Sequence, residues 1–120
     1  MEAVEFARKI LEGPSIEDKM FAPESLEFSS SGQDYELKTP NREEKIRLTG
    51  EQIRFPKGHF HINEKKAQAL HSFANHELLA VEMMAAAILI YPHHTEELKR
   101  FKKGLFKALK DEQLHFKLYV

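Results

Sequence analysis

The chain has 120 residues, a length that allows one small domain. Its 18 basic and 19 acidic side chains leave a net charge of -1, which excludes a nucleic-acid binder working through an overall basic excess. With no cysteine, a disulfide framework, a thiolate zinc site, an iron–sulfur cluster and a cysteine nucleophile are excluded too.

Residues 2–12 show apolar side chains at three- and four-residue spacing (Val4, Ala7, Leu11, with Ala3, Phe6 and Ile10 beside them), the pattern of a short amphipathic helix. Gly13 at C′ and Pro14 just beyond should stop it. Ser15 and Asp18 have capping-box spacing, so a second helix of about two turns is expected to start there and end before Pro23. Between Pro23 and Asn63 the periodicity fails. Leu26-Glu27-Phe28 and Tyr35-Glu36-Leu37 flank a polar turn and are expected to pair as a small hairpin in an otherwise irregular arm, 23–62, lying over another surface. Asn63 is the expected N-cap of a long helix ending before Pro92, and Thr95 that of a second, with Glu96 and Glu97 in its first turn. Joined by a short loop, the two must be antiparallel neighbours. The fold class is therefore all-α: short helices over 1–22, the arm, and a two-helix unit over 63–120.

No membrane or export segment is expected. The longest uninterrupted apolar run, Met83 to Tyr91, falls short of the roughly 20 residues a span needs. The amino terminus lacks the basic and apolar regions of a signal peptide, and a cytoplasmic location is expected.

Placing polar residues on helical wheels, at about 100° per residue, gives the informative result. Leu70, Phe73, Val81, Met84 and Ile88 fall within about 40° of Glu77, and Phe101, Leu105, Ala108, Phe116 and Tyr119 within about 40° of Glu112. Both carboxylates are thus expected at the centre of an apolar stripe, with His115 beside Glu112 at i+3. A buried carboxylate must protonate, pair or bind metal. Lys99, Arg100, Lys103, Lys107, Lys110 and Lys117 lie on the far side of their helix, so they are not its partners. Glu-x-x-His facing a Glu on the neighbouring helix is half of a di-iron carboxylate site. Residues at i and i+3 project side by side, so a Glu112 oxygen and a His115 nitrogen reach one ion.

Other candidates carry less. Glu82, about 140° from Glu77, is expected to be exposed or to stand behind a ligand. Asn75 and His71 lie on the far flank, against another helix. His59-Phe60-His61 aligns two imidazoles without a third ligand. His93 and His94 are expected to be exposed in the turn, Met83 and Met84 to be core, and the basic face of the last helix to be solvated or to meet an anionic partner such as RNA.

The stretch Ala69-Leu70-His71-Ser72-Phe73-Ala74-Asn75-His76-Glu77-Leu78-Leu79-Ala80-Val81-Glu82, followed by Asp111-Glu112-Gln113-Leu114-His115-Phe116, resembles the DUF455 family of ferritin-like proteins, a domain of unknown function. Ala7 to Lys19 also looks like that family's N-terminal segment, whereas Asn75 stands where many relatives have His. The resemblance implies a ferritin-like helical hairpin, half of a four-helix bundle, with Glu77, Glu112 and His115 as the first half of the metal site. The sequence reaches Val120 with the helical pattern still running. The second helix pair is therefore expected from a missing half of a longer chain or from a second copy, as in a homodimer.

Three functions follow from this reading. One is a non-haem di-iron (or Fe/Mn) oxidase or oxygenase of unknown small-molecule substrate; since related ferritin-like folds include a tRNA hydroxylase, RNA stays open. The alternative is a non-catalytic helical binding or structural module whose arm wraps a partner. Iron storage is a third, for which the chain is short and shows no sign of cage formation.

Overall fold

The computed structural model describes residues 1–28, 39–46 and 63–119. Tyr35-Glu36-Leu37, His59-Phe60-His61, Val120 and the side chains of Leu70, His71 and Tyr119 lie outside the described residues. The helices are α1 (Ala3–Glu12), α2 (Ile16–Lys19), α3 (Asn63–Ile90) and α4 (Glu96–Tyr119), with a single 3-10 turn at Glu44–Ile46 and no strand among the described residues.

Helix α1 buries Ala3, Phe6, Ala7, Ile10 and Leu11, one continuous stripe at i, i+3, i+4, i+7 and i+8. That stripe packs on Val81, Ala85, Ile88 and Leu89 of α3 and on Phe106 and Leu109 of α4. The Phe6 ring meets Phe106 edge-on at 5.2 Å. Fully buried Phe6, Ile10, Val81, Ile88 and Leu109 each contribute about 1.5–3 kcal/mol relative to exposure. Farther along the hairpin, Ala74, Leu78 and Phe116 are covered by Ile16, Met20 and Ile46. So α3 and α4 pair antiparallel, and α1, α2 and residues 39–46 cover one side of the pair.

The end of α1 shows why this covering layer holds. A helix leaves its last four carbonyls without internal partners, and here each has a donor. Gly13 N–H donates to Lys9 O, the Lys19 ammonium to Ile10 O at 2.7 Å and Leu11 O at 3.4 Å, Asn41 N–H to Leu11 O, and the Asn41 amide to Glu12 O. A cation at a helix C-terminus is also favoured by the dipole. Gly13 is extended, with φ -70° and ψ 123°, rather than left-handed. Its lack of a side chain serves a close approach instead, since a Cβ there would lie 2.4 Å from Asp18 Cβ and 2.6 Å from Lys9 O.

The capping box forms as expected, with Ser15 Oγ accepting from Asp18 N–H at 3.1 Å and the Asp18 carboxylate accepting from Ser15. Those bonds hold the Asp18 carboxyl below its usual range. The helix it starts is only one turn long, not two. The carbonyls of Lys19 and Phe21 accept from the Gln113 side-chain amide of α4, at 3.1 and 2.9 Å, so tertiary bonds replace the next helical turn. Leu26–Phe28 runs beside the amino terminus: Ala3 N–H donates to Glu27 O and Glu27 N–H to Met1 O, each at 2.8 Å. Thr95 caps α4 through its Oγ1, which accepts from Leu98 N–H at 3.2 Å.

Ser72–Ile90 is, by length and composition alone, apolar enough to cross a membrane. That contrasts with the shorter uninterrupted run seen in sequence. The stretch contains Glu77 and Glu82, and the core helix of a folded domain has the same composition.

One substitution tests the covering layer. Gly13→Ala is expected to destabilise by about 1–3 kcal/mol in urea unfolding, because the methyl collides with Asp18 and Lys9. An unchanged or higher midpoint, the usual result of stiffening the unfolded chain, would contradict the close approach.

Candidate metal centre

Glu77 projects from α3, and Glu112 and His115 from adjacent turns of α4. The antiparallel register brings them to one place. His115 Nδ1 lies 3.7 Å from Glu77 Oε2 and 3.6 Å from Glu112 Oε2. One ligand atom from each residue falls within 4.8 Å of the other two. The three sequence-derived candidates therefore converge.

Their burial differs from expectation. The side chains of Glu77, Glu112 and His115 are 23%, 25% and 52% exposed, a rim position rather than the centre of the core. The apolar residues buried on α3 (Ala74, Leu78, Val81, Ala85, Ile88, Leu89), with Glu82 among them, centre about 80° around the helix from Glu77, taking 100° per residue. Those buried on α4 (Lys102, Phe106, Leu109, Gln113, Phe116) centre about 80° from Glu112. Packing by α1 and α2 draws both buried faces toward one side. The other side keeps Phe73, Met84 and Leu105 half-buried and Phe101 exposed. Met83, expected in the core, is exposed as well.

Glu77 Oε2 is itself shielded from solvent and has no hydrogen-bond partner. Two carboxylates and an imidazole converging on an orphaned oxygen form a donor set suited to a divalent transition metal.

Glu82 is the larger correction. It is 1% exposed, buried rather than solvated, and its partners are cations. The Arg42 Nε donates to Glu82 Oε1 and Oε2 at 3.0 and 3.1 Å, and Arg42 Nη2 pairs with Oε1. Lys19 Nζ lies 3.0 Å from Oε2. Arg42 Nη1 donates in addition to Ile46 O and Asn75 Oδ1, both at 3.0 Å. Asn75 thus meets residues 39–46, not another helix. Burial pushes the Lys19 ammonium down, opposed chiefly by Glu82.

Sequence reasoning also missed the buried His93, Lys102 and Gln113; His94 is exposed as expected. Lys102 had one readable signal: it is in helical register with Phe106, Leu109 and Phe116.

The family model described as a protein of unknown function, DUF455, matches residues 4–120. The chain belongs to the DUF455 family. Neither a curated protein nor a solved structure matches it. Within this DUF455 chain, the Glu77, Glu112 and His115 group is the one cluster of three or more His, Asp or Glu side chains among the described residues with metal-ligand spacing.

Two glutamates five residues apart on α3 should respond oppositely to substitution. Glu82→Ala strands two buried cations and is expected to lose about 3–5 kcal/mol of stability. In metal-free protein, Glu77→Gln, which removes a charge at an orphaned oxygen, is expected to stay within about 1 kcal/mol of the parent or to gain. Urea unfolding of both variants checks this; equal losses would contradict it.

Proposed function

We propose that this DUF455 chain is a ferritin-like half-bundle that holds non-haem iron, as a di-iron or Fe/Mn pair, and acts as an oxidase or oxygenase. The observation carrying this reading is the convergence of Glu77, Glu112 and His115 across an antiparallel helix pair within 4.8 Å. Glu77 and Glu112 would be the carboxylate ligands and His115 the nitrogen ligand. Iron with open coordination positions supplies dioxygen chemistry that no side chain of this sequence offers. The chain's own residues would fix the ligand positions.

One hairpin provides one Glu and one Glu-x-x-His, whereas a di-iron bundle takes two of each. We propose that a second copy, related by a twofold axis, supplies the rest. Tyr91 and Phe101, both exposed and meeting edge-to-face at 5.6 Å, extend the uncovered side toward the hairpin turn and support a bundle-completing partner. The substrate class stays open between a small molecule and RNA.

A second reading, a non-catalytic helical binding module, is favoured by one observation: residues 39–46 dock on α3 through Arg42, whose partners there are Glu82 and Asn75. Metal linkage separates the two. Iron(II) added anaerobically is expected to raise the unfolding midpoint, by about 2.7 kcal/mol of stabilisation at a hundredfold excess over Kd. Glu77→Gln and His115→Ala should abolish the increment. No shift in the parent protein would overturn the metal reading and leave the binding module.

A further inference from the structure

At the turn between α3 and α4 the structure buries a lysine against a histidine. Lys102 is fully buried and His93 4% exposed, with Lys102 Nζ 3.0 Å from His93 Nδ1. With Lys102 as the ammonium, which has donors only, Nδ1 is the acceptor and the ring proton sits on Nε2. That Nε2 is shielded and has no partner. The ring packs on Phe28 at 5.8 Å between centroids. Phe28 adjoins Glu27, whose backbone is bonded to Met1 and Ala3.

We propose that His93 is the trigger of an acid-operated clasp: a proton taken up at Nδ1 removes the acceptor for Lys102, sets two cations against each other out of water, and releases Leu26–Phe28 together with the amino terminus from the hairpin turn. The groups facing His93 set the direction of its shift. Burial first, and the Lys102 charge second, hold its imidazole below the ordinary range, Glu2 pulls the other way, and Lys99 and His94 add to Lys102. Burial pushes the Lys102 ammonium down too. The sign is fixed by linkage. A histidine with a depressed folded pKa contributes full stability above its unfolded pKa of about 6.5 and loses it as pH falls through the folded value. The clasp is closed at neutral pH and opens in acid. It is remote in sequence from Glu77, Glu112 and His115 and does not depend on metal.

Amide exchange of the full chain tests this at Ala3 and Glu27, whose N–H groups make the two clasp bonds. After correction for intrinsic rates, both amides should exchange about tenfold faster at about pH 5.5 than at about pH 7.5, either side of the ordinary histidine pKa, while Val81 to Leu89 keep their protection. In His93→Gln, which cannot take up the proton, the acid acceleration should vanish; in His94→Gln it should persist. An NMR titration of the parent's His93 ring gives a reading independent of variant folding, and its midpoint should fall below the ordinary value and coincide with opening at Glu27. Protection at Ala3 and Glu27 that is independent of pH, or an acid response unchanged in His93→Gln, would overturn the clasp.

Discussion

A carboxylate withdrawn from water is tolerable only when cations and hydrogen bonds replace its hydration, and Glu82 meets that demand from two distant parts of the chain. Lys19 arrives from the end of α2 and Arg42 from the segment before the 3-10 turn. The same Lys19 caps the end of α1, and its carbonyl accepts from Gln113 of α4. One ionic node therefore ties α1, α2, residues 39–46 and both long helices together. Its Lys19 meets three oxygens, and each nitrogen of its Arg42 guanidinium has a partner in the Glu82 carboxylate, Ile46 O or Asn75.

The node determines which side of the hairpin is covered. With the N-terminal layer held over Glu82, the buried faces of α3 and α4 turn toward it, and Glu77, Glu112 and His115 are left on the rim of the opposite side. Five residues separate Glu77 from Glu82, and their surroundings differ completely: one is neutralised by two cations, the other offers an orphaned oxygen beside an imidazole and a second carboxylate. That contrast makes the first a structural group and the second a candidate ligand.

Local signals were legible where local physics decides. Ser15 with Asp18, Thr95, Gly13-Pro14 and Pro92 mark helix ends through caps and missing donors, and the structure places the ends there within a residue or two. The convergence of Glu77 with Glu112 and His115 was readable because i, i+3 spacing and a short antiparallel connection leave little freedom. What periodicity does not encode is the third layer. The Arg42–Glu82 pair spans 40 positions, and without it the periodicity has the two stripes face each other. The same omission hid His93, whose ring packs on Phe28 from the N-terminal segment, and the Lys102 bonded to it. It also made α2 look longer than it is, since Gln113 competes for its carbonyls.

The central claim is that the rim ligands of two copies form one metal centre. Native mass spectrometry of protein produced with added iron reads subunit count and bound metal in the same ion. A dimer carrying iron, or iron and manganese, is expected, with metal and dimer lost together in Glu77→Gln. A metal-free monomer from the parent protein would contradict it.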